Sequence, residues 1–338
     1  MIQPSRLEKL LAGSPEPGNI FHIAELSYKR LQGFDRDHTV VLFSVSPLEE
    51  HGSHLPVGTD LFEAEFFSAE LARRLAERKA NWNVLLGPPL PIGASAFDGP
   101  GTLLVRAGTV RRAARDYGAA LARHGFKYIL VMNAHAGPRH VLALERAAAA
   151  VSRRYGVRMF SLSGPVLWKL LRGKYLHRLE ALIGRPLTPD ESEAVRGDAH
   201  GGLLETSLLL RCRPELVGAE YPNLPPQRFS LLDALVPNYP LRLGNRQGYI
   251  GSPAAASASW GETARRLLLD AAWDLVEPVL DAQNRSWRRN ALLFKTTIAG
   301  ATLPRIAAGV GVLAVGTLGL CAFGTGALVY RLARRKKS

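Results

Sequence analysis

Residues 39–60 read TVVLFSVSPLEEHGSHLPVGTD. The apolar run 39–46 is rich in β-branched and aromatic residues, which is typical of a strand buried on both faces of a sheet. Three candidate ligands, Glu49, His51 and Asp60, follow this run directly. Catalytic groups in α/β proteins gather where a strand gives way to a loop, and these residue types suit Zn, Mn or Fe. The stretch therefore predicts a buried strand that ends at a metal site.

Two later segments supply further side chains of the same types. The apolar run 127–132 predicts a second strand, and His135 lies two or three residues beyond its end. His200 precedes a pair of glycines, and Glu205 falls in the first turns of a predicted helix. Strand ends and helix starts meet at one edge of an α/β sheet, so these side chains are expected to lie together in one site. Its members are Glu49, His51, Asp60, His135, His200 and Glu205.

Predicted strands alternate with predicted helices along the chain. The strands lie near 39–46, 84–88, 128–133 and 157–161, and the helices near 61–79, 109–124, 138–154, 202–212 and 261–281. This order predicts an α/β fold, a three-layer sandwich in which helices cover both faces of a mostly parallel sheet. A Pro-rich segment, 222–240, is predicted to be a long surface or lid segment.

The motifs and their order resemble the creatininase (creatinine amidohydrolase) family over roughly residues 35–280. That family has Glu-X-His-Gly-X-His-Leu-Pro, as in residues 49–56, and an Asp nine residues after the first His, as at Asp60. Asn133-Ala134-His135-Ala136-Gly137 is similar to a second motif, and 200–207 to a third that ends in Glu-Thr-Ser. The resemblance implies the three-layer fold, hydrolysis of a small-molecule amide, and a homo-oligomer.

The resemblance also implies a role for each site residue. Glu49 and His135 would bind one metal, His51 would bind a second, and Asp60 would bridge the two. The cofactor would be one or two divalent ions, Zn, Mn or Fe, and such a pair can activate water and polarise a carbonyl together. His200 and Glu205 are the predicted catalytic residues, with His200 or a neighbour carrying a proton to the leaving nitrogen.

The chain departs from the family pattern at several positions. Ala96 stands where the family often has a His, and Gly99 where it has a Phe. Creatinine hydrolases have a Glu that completes the second metal site where this chain has Gly137, and a terminal Asn where it has Pro138. The second metal would then be weaker, or would be held by Glu205. Asp60 also fits the N-cap of the following helix. His54 is interpreted as a structural imidazole, and Glu50 as a carboxylate that is either solvated or in contact with the ligands without binding metal.

Three functions remain open at this point. The first is a metal-dependent amidohydrolase that cleaves a non-peptide or cyclic amide, or a formamide, with metal-activated water. The second is a creatininase-type maturation peptidase. The third is a catalytically degenerate, membrane-tethered binding or scaffold module, which the residues Ala96, Gly137 and Pro138 motivate.

The C-terminal part of the chain has a different character. Residues 306–330 contain no charge and would form a helix about 37 Å long, sufficient to cross a bilayer core of about 30 Å. The predicted organisation is an N-terminal leader at 1–20, a catalytic domain at 21–282, a basic linker at 283–305, a transmembrane helix at 306–330 and a basic tail at 331–338. The N-terminus lacks the apolar core of a secretory signal, so a single-pass membrane protein with a cytoplasmic catalytic domain is expected.

The net charge of +14 is concentrated near that segment. Residues 283–338 hold ten basic and no acidic residues, so residues 1–282 carry +4, with 33 basic residues against 29 acidic ones. Basic flanks of this kind favour anionic lipid headgroups. No nucleic-acid-binding motif is present, and nucleic acid is excluded as an expected partner.

Overall fold

A parallel β-sheet forms the centre of the protein. The computed structural model describes residues 18–171, 173–228 and 247–280. Within them the sheet has the strand order β1-β3-β2-β4-β5, and every neighbouring pair is parallel. The strands are β1 (Ile20–His22), β2 (Thr39–Ser44), β3 (Asn83–Leu86), β4 (Tyr128–Met132) and β5 (Arg158–Ser161).

Helices follow most of the strands and account for most of the remaining described residues. They are α1 (Tyr28–Gln32), α2 (Thr59–Arg78), α3 (Ala107–Arg123), α4 (Pro138–Tyr155), α5 (Ser163–Leu171), α6 (Leu176–Ile183), α7 (Pro189–Arg196), α8 (Leu203–Cys212) and α9 (Ala258–Leu280).

The helices cover both faces of the sheet, as expected for a three-layer α/β fold. Side chains alternate across a strand, so Leu42 and Leu130 pack with α2, α8 and α9 on one face. Phe43 and Val131 pack with α3 and α4 on the other. All six residues of β2 are buried, which explains why its central residues 40–43 are all apolar instead of alternating with polar ones.

The order of the strands places a crevice between β2 and β4. These two strands are neighbours, but β2 continues into α2 on one face of the sheet and β4 continues into α4 on the other. Their C-terminal ends therefore diverge, and ligand sites in doubly wound sheets form at such a switch point. Glu49, His51 and His135 all lie in the loops that leave this edge.

The structure adds elements that the sequence patterns did not predict. They are β1, α1, α5, α6 and α7, each of which is short. Strand β2 ends at Ser44, so Glu49 and His51 lie in a loop and not on an extension of the strand. Helix α2 begins at Thr59, which places Asp60 in its first turn instead of at the N-cap, Gly58.

Several predicted segments lie wholly or partly outside the described residues. These are the leader, the linker 283–305, the transmembrane helix 306–330, the basic tail, and most of the segment 222–240. None of the helices in the described ranges combines the length and the apolarity needed to cross a membrane.

Candidate metal centre

Two groups of potential ligands meet at the crevice and share Asp60. One group is Glu49, Asp60 and His135, and the other is His51, Asp60 and Glu205. In the first, His135 Nδ1 lies 2.9 Å from Glu49 Oε2 and 3.2 Å from Asp60 Oδ2. In the second, His51 Nε2 lies 3.5 Å from Asp60 Oδ1 and 3.6 Å from Glu205 Oε2. The two oxygens of Asp60 thus face different groups, an arrangement that suits a bridging carboxylate.

Backbone carbonyls fix the tautomers of both imidazoles. His51 Nδ1 lies 2.9 Å from the carbonyl of Glu49, and His135 Nε2 lies 3.1 Å from the carbonyl of Ala94. A carbonyl oxygen can only accept, so each of these nitrogens must donate its N–H. When the ring is neutral, the opposite nitrogen of each therefore directs its lone pair at the carboxylates, as is usual for metal-binding histidines.

Several buried atoms at this point have no hydrogen-bond partner among the described residues. They include Glu49 Oε2, His51 Nε2 and Asp60 Oδ2, and their side chains are at most 1% exposed. An unsatisfied buried polar atom costs about 1–3 kcal/mol, so three that converge indicate a missing ligand for all of them. Nitrogen and carboxylate donors at these positions fit a divalent transition-metal ion.

The electrostatics of the cluster lead to the same conclusion. Burial acts to lower the pKa of His51, but Asp60 and Glu205 outweigh it and raise that pKa to about 10. Burial raises the pKa of Glu205 to about 7. Burial likewise acts to lower the pKa of His135, and Glu49 and Asp60 reverse that effect so that it stands well above its usual value. Without a metal, protons on the two imidazoles compensate the carboxylates, and a cation can replace these protons.

His200 lies beside this cluster in a different electrostatic state. Its Nε2 donates to the carbonyl of Glu50 over 2.7 Å, which leaves Nδ1 as the acceptor nitrogen. The ring lies 4.1 Å from that of His51 and 4.4 Å from that of Phe97, measured between centroids. Burial, and then the charge on His51, hold the pKa of His200 well below its usual value. This imidazole is therefore neutral near pH 7 and able to accept a proton.

Thr102 connects the loop after β3 to the ligand loop after β2. Its hydroxyl accepts from the backbone N–H of Glu50 over 2.9 Å and donates to the carbonyl of Phe97 over 2.9 Å. The backbone N–H of Phe97 in turn donates to Glu49 Oε1 over 2.5 Å. The Glu50 carbonyl holds His200, so this single hydroxyl fixes the backbone units that orient a ligand and a neutral imidazole.

The loop that orients these ligands also contains strained backbone. Ser95 has a φ of 62°. Within the described ranges, no other residue except glycine has a positive φ. The neighbouring carbonyl of Ala94 accepts from His135, and the amide of Phe97 donates to Glu49. Backbone strain of this kind persists where surrounding contacts enforce it, here the two contacts to ligands.

Gly137 occupies a position that is closed to any side chain. A Cβ atom there would lie 2.7 Å from the carbonyl oxygen of Ser95 and 2.9 Å from that of Ala94. Both are backbone atoms, so a larger residue would have to displace the loop that holds His135. Glu205 approaches the cluster from α8 instead, where its Oε2 accepts from the backbone N–H of Gly201 over 2.5 Å. The carboxylate of Glu205 near His51 therefore comes from α8 and not from the loop after β4.

The structure brings all six predicted residues together. Glu49, His51, Asp60 and His135 are at most 4% exposed, and His200 and Glu205 adjoin them. Outside this set, His54 is buried, and its Nε2 lies 3.0 Å from both Thr206 Oγ1 and the carbonyl of Gly201, which supports a structural role. Glu50 is half-buried and accepts from the amide of Gly52.

Two buried polar residues near the site were missed at the sequence level. Glu63 lies one turn after Asp60 on α2, and burial, then Glu205 and Asp60, raise its pKa well above the usual value. The three-residue spacing from Asp60 was a readable signal, because i and i+3 share one face of a helix. His140 Nε2 donates to the carbonyl of Val45 over 3.2 Å, and its ring lies 5.1 Å from that of His135. The sequence around His140 contains no comparable spacing from a predicted ligand on the same helix.

Comparison with known proteins identifies relatives over most of the chain. A family model described as creatinine amidohydrolase matches residues 24–276. A mycofactocin precursor peptide peptidase from Mycobacterium ulcerans (strain Agy99) is 28% identical over 250 residues, which are 71% of this chain and 84% of the relative. A creatinine amidohydrolase from Pseudomonas putida is 26% identical over 254 residues, covering 72% of this chain and 88% of the relative.

Solved structures share the fold. A structure described as "Creatininase Mn" superposes with a TM-score of 0.58 at 24% identity, over 77% of this chain and 98% of that chain. A creatininase variant described as "Zn-Zn type" gives 0.57 at 23% identity, over the same shares of each chain. A putative creatinine amidohydrolase from Bacteroides fragilis NCTC 9343 gives 0.59 at 18% identity, over 78% and 97%. At these identities the likeness shows the fold alone.

Proposed function

The chain belongs to the creatininase family, and we propose that it is a metal-dependent amidohydrolase that cleaves the carbon–nitrogen bond of a small non-peptide amide, cyclic amide or formamide. The observation that carries this proposal is the pair of ligand groups that share Asp60, each of which contains a buried ligand atom without a hydrogen-bond partner: Glu49 Oε2 and Asp60 Oδ2 in one, and His51 Nε2 in the other. A scaffold module would have no need for three buried, unsatisfied ligand atoms.

Glu49, Asp60 and His135 would hold one divalent ion, and His51, Asp60 and Glu205 would hold a second. When bound, such ions supply an activated water and polarise the substrate carbonyl. Glu205 thus takes the place of the Glu that creatinine hydrolases have at the position of Gly137. This assignment follows from the 3.6 Å approach of Glu205 to His51 and from the closed surroundings of Gly137.

The chain's own residues account for the movement of the proton. His200 is neutral and lies beside the ligands, with Nε2 4.0 Å from Glu49 Oε1, so we assign to this imidazole the proton that the attacking water loses. The same imidazole then donates this proton to the leaving nitrogen as the carbon–nitrogen bond breaks. The rings of His51 and Phe97 on either side keep the imidazole in place during both transfers.

A peptide substrate is the second candidate. The observation that favours it is the 28% identity to a precursor peptide peptidase, which is similar over more than two thirds of both chains. The same residues would serve, because a peptide bond is also an amide. The two candidates differ in the size of substrate that the crevice must admit.

The test begins with the metal content of the full-length protein, measured by elemental analysis after reconstitution with Mn, Zn or Fe. We expect one to two equivalents in the wild type and none in Asp60→Asn. The matched control is Asp116→Asn, which changes an exposed aspartate on α3 and should leave the metal content unchanged. A folded wild type that takes up no metal would overturn the proposal and favour the scaffold hypothesis.

Turnover then separates the two substrate classes. Formamides, cyclic amides and short peptides are assayed with the loaded enzyme, and release of amine or of a peptide fragment is measured. Cleavage of small amides alone supports the first candidate, and cleavage of peptides alone supports the second. His200→Ala should abolish turnover while the metal remains bound, since its side chain carries the proton and belongs to neither of the two ligand groups that share Asp60.

A further inference from the structure

Arginine dominates the outer surface of the layer formed by α3 and α4. We call this surface the cationic face, and all of its arginines are exposed. They are Arg106, Arg111, Arg112, Arg115, Arg123, Arg139, Arg146, Arg153 and Arg154. The acidic residues of residues 106–155 are Asp116, which is exposed, and Glu145, which is buried. The cationic face therefore carries a large excess of positive charge.

The spacing of the arginines turns this charge into continuous stripes. Arg139, Arg146 and Arg153 recur every seven residues, just under two helical turns, so they form one line along α4. On α3, Arg112 and Arg123 are eleven residues apart and share a line in the same way. The two helices follow parallel strands on one face of the sheet, so both stripes run from the site edge to the opposite edge.

The opposite layer of the sandwich has no comparable excess of charge. Helices α2 and α9 together contain nine acidic and five basic residues. Many of these charges are paired, as in Arg74 with Asp270 over 2.5 Å and Arg265 with Glu262 over 2.7 Å. By contrast Arg106, Arg111, Arg112, Arg146 and Arg153 form no salt bridge within the described part of the chain.

Large apolar side chains are exposed on α3 and in the loop directly before it. Leu103 is 59% exposed, Leu104 44% and Tyr117 41%, and they lie directly before α3 or on it. Exposed leucine and tyrosine next to arginine are typical of protein surfaces that bind the lipid headgroup region. On such surfaces the apolar side chains reach the boundary with the acyl chains. Nucleic acid would satisfy the arginines but would offer no apolar partner to the leucines.

We propose that the cationic face of α3 and α4 docks on an anionic lipid surface, with Leu103, Leu104 and Tyr117 inserted among the headgroups. This proposal does not depend on the proposed function. The chain leaves the described region at Leu280, and the carbonyl of the adjacent Val279 accepts from Arg158 at the start of β5. Arg158 begins β5 three residues after α4 ends, so the exit, on the α9 side of the sheet, lies at the same sheet edge as the C-terminal end of α4.

The residues beyond this exit support a membrane as the partner. Residues 283–338 add ten basic and no acidic residues, and they include the apolar stretch 306–330 that is predicted to enter a membrane. A tether at this edge would hold the folded domain next to the bilayer, and the charge of the cationic face would then favour its orientation towards anionic headgroups. A second copy of the chain is a poor occupant of this face, because two such faces would repel each other.

The test uses full-length protein reconstituted with vesicles of phosphatidylcholine, with or without phosphatidylglycerol. A fluorophore is attached at Tyr117→Cys or, as the matched control on the opposite layer, at Glu77→Cys, both in a Cys321→Ser background. Cys212 is buried, so it does not compete for the label. A lipid that bears a nitroxide on its headgroup quenches whichever position lies at the bilayer surface.

We expect strong quenching at position 117 only when phosphatidylglycerol is present, and weak quenching at position 77 throughout. Replacing Arg111, Arg112 and Arg115 by Glu should abolish the quenching at 117. The milder replacement by Gln removes three charges and should shift the ratio of docked to undocked protein by about a hundredfold. Thermal melting of both variants shows whether the fold is retained, and metal content should be unchanged.

Three results would overturn the proposal. The first is equal quenching at 117 and 77, and the second is quenching at 117 that persists without anionic lipid or after charge reversal in a folded variant. The third is shielding of position 117 by an oligonucleotide, or by self-association seen in sedimentation, while anionic lipid has no effect. The last outcome would assign the face to nucleic acid or to a second copy.

Discussion

Replacing Thr102 by valine should weaken the metal site although Thr102 itself is no ligand. Valine keeps the shape of threonine but removes the hydroxyl that accepts from the Glu50 amide and donates to the Phe97 carbonyl. The carbonyl of Glu50 would then hold His200 less firmly. The amide of Phe97 would no longer be held against Glu49. Both the bound metal and the proton-accepting imidazole should lose their orientation.

The size of the effect follows from the groups left unpaired. An amide and a carbonyl that lose their partner in a partly buried site cost about 1–3 kcal/mol of the free energy of unfolding. In a domain of this size each kcal/mol corresponds to about 2–4 °C in melting temperature. Loss of a contact that orients a ligand typically lowers metal affinity or activity by about 10–100-fold.

The assay measures the melting temperature, the metal dissociation constant and kcat for the same protein samples. Thr102→Ser retains the hydroxyl and should restore all three quantities. The control is Thr263→Val, because the exposed Thr263 hydroxyl donates only to the carbonyl of Ser259 within α9. This control should change the free energy of unfolding by less than about 0.5 kcal/mol. Wild-type metal affinity and kcat in Thr102→Val would refute the positioning role, even if the melting temperature fell.

Further predictions concern the charges and the packing of the same site. Glu205→Gln should lose one metal equivalent and keep the other, as measured by elemental analysis, and equal loss of both would contradict the two-group arrangement. Metal binding at neutral pH should release about two protons, from His51 and His135, which calorimetry in buffers of different ionisation enthalpy detects. Because the pKa of His51 is raised from 6.5 to about 10, the metal-free protein should lose stability as pH rises through that interval, while the loaded protein should not. Denaturant melts at both ends of the interval test this, and a flat profile for the metal-free protein would contradict it. Gly137→Ala should lower both the melting temperature and the metal content, because its Cβ would meet the Ala94 carbonyl, and an unaffected variant would show that the loop can move.

The sheet and its main helices could be predicted from the sequence because they are long and periodic. Strands β2 and β4 are continuous apolar runs, and the helices after them start within two residues of the predicted positions. Strand β1 has only three residues, too few to show any period. Helix α7 carried a readable signal, since Thr188 and Glu191 form a capping box, but its eight residues contain little apolar surface.

The ligands were predictable, whereas the contacts that hold them were not. Glu49, His51 and Asp60 are close in the sequence and carry an obvious chemical pattern. The partners that set the tautomers are backbone carbonyls, and a carbonyl belongs to every residue alike, so no pattern marks Ala94. The 3.6 Å approach of Glu205 to His51 likewise depends on how α8 packs against the sheet, which only the three-dimensional arrangement shows.

The site is assembled from parts of the chain that are far apart. The hydrogen bond from His200 to Glu50 spans 150 residues, and His135 comes from the strand next to the one that precedes Glu49. Such a site exists only once nearly the whole domain has folded, so a metal ion binds the native chain and not its unfolded forms. At a free metal concentration one hundred times the dissociation constant, this selective binding adds about 2.7 kcal/mol to the free energy of unfolding. Metal supply in the cell would thereby govern how long a folded molecule escapes proteolysis, independently of its role in turnover.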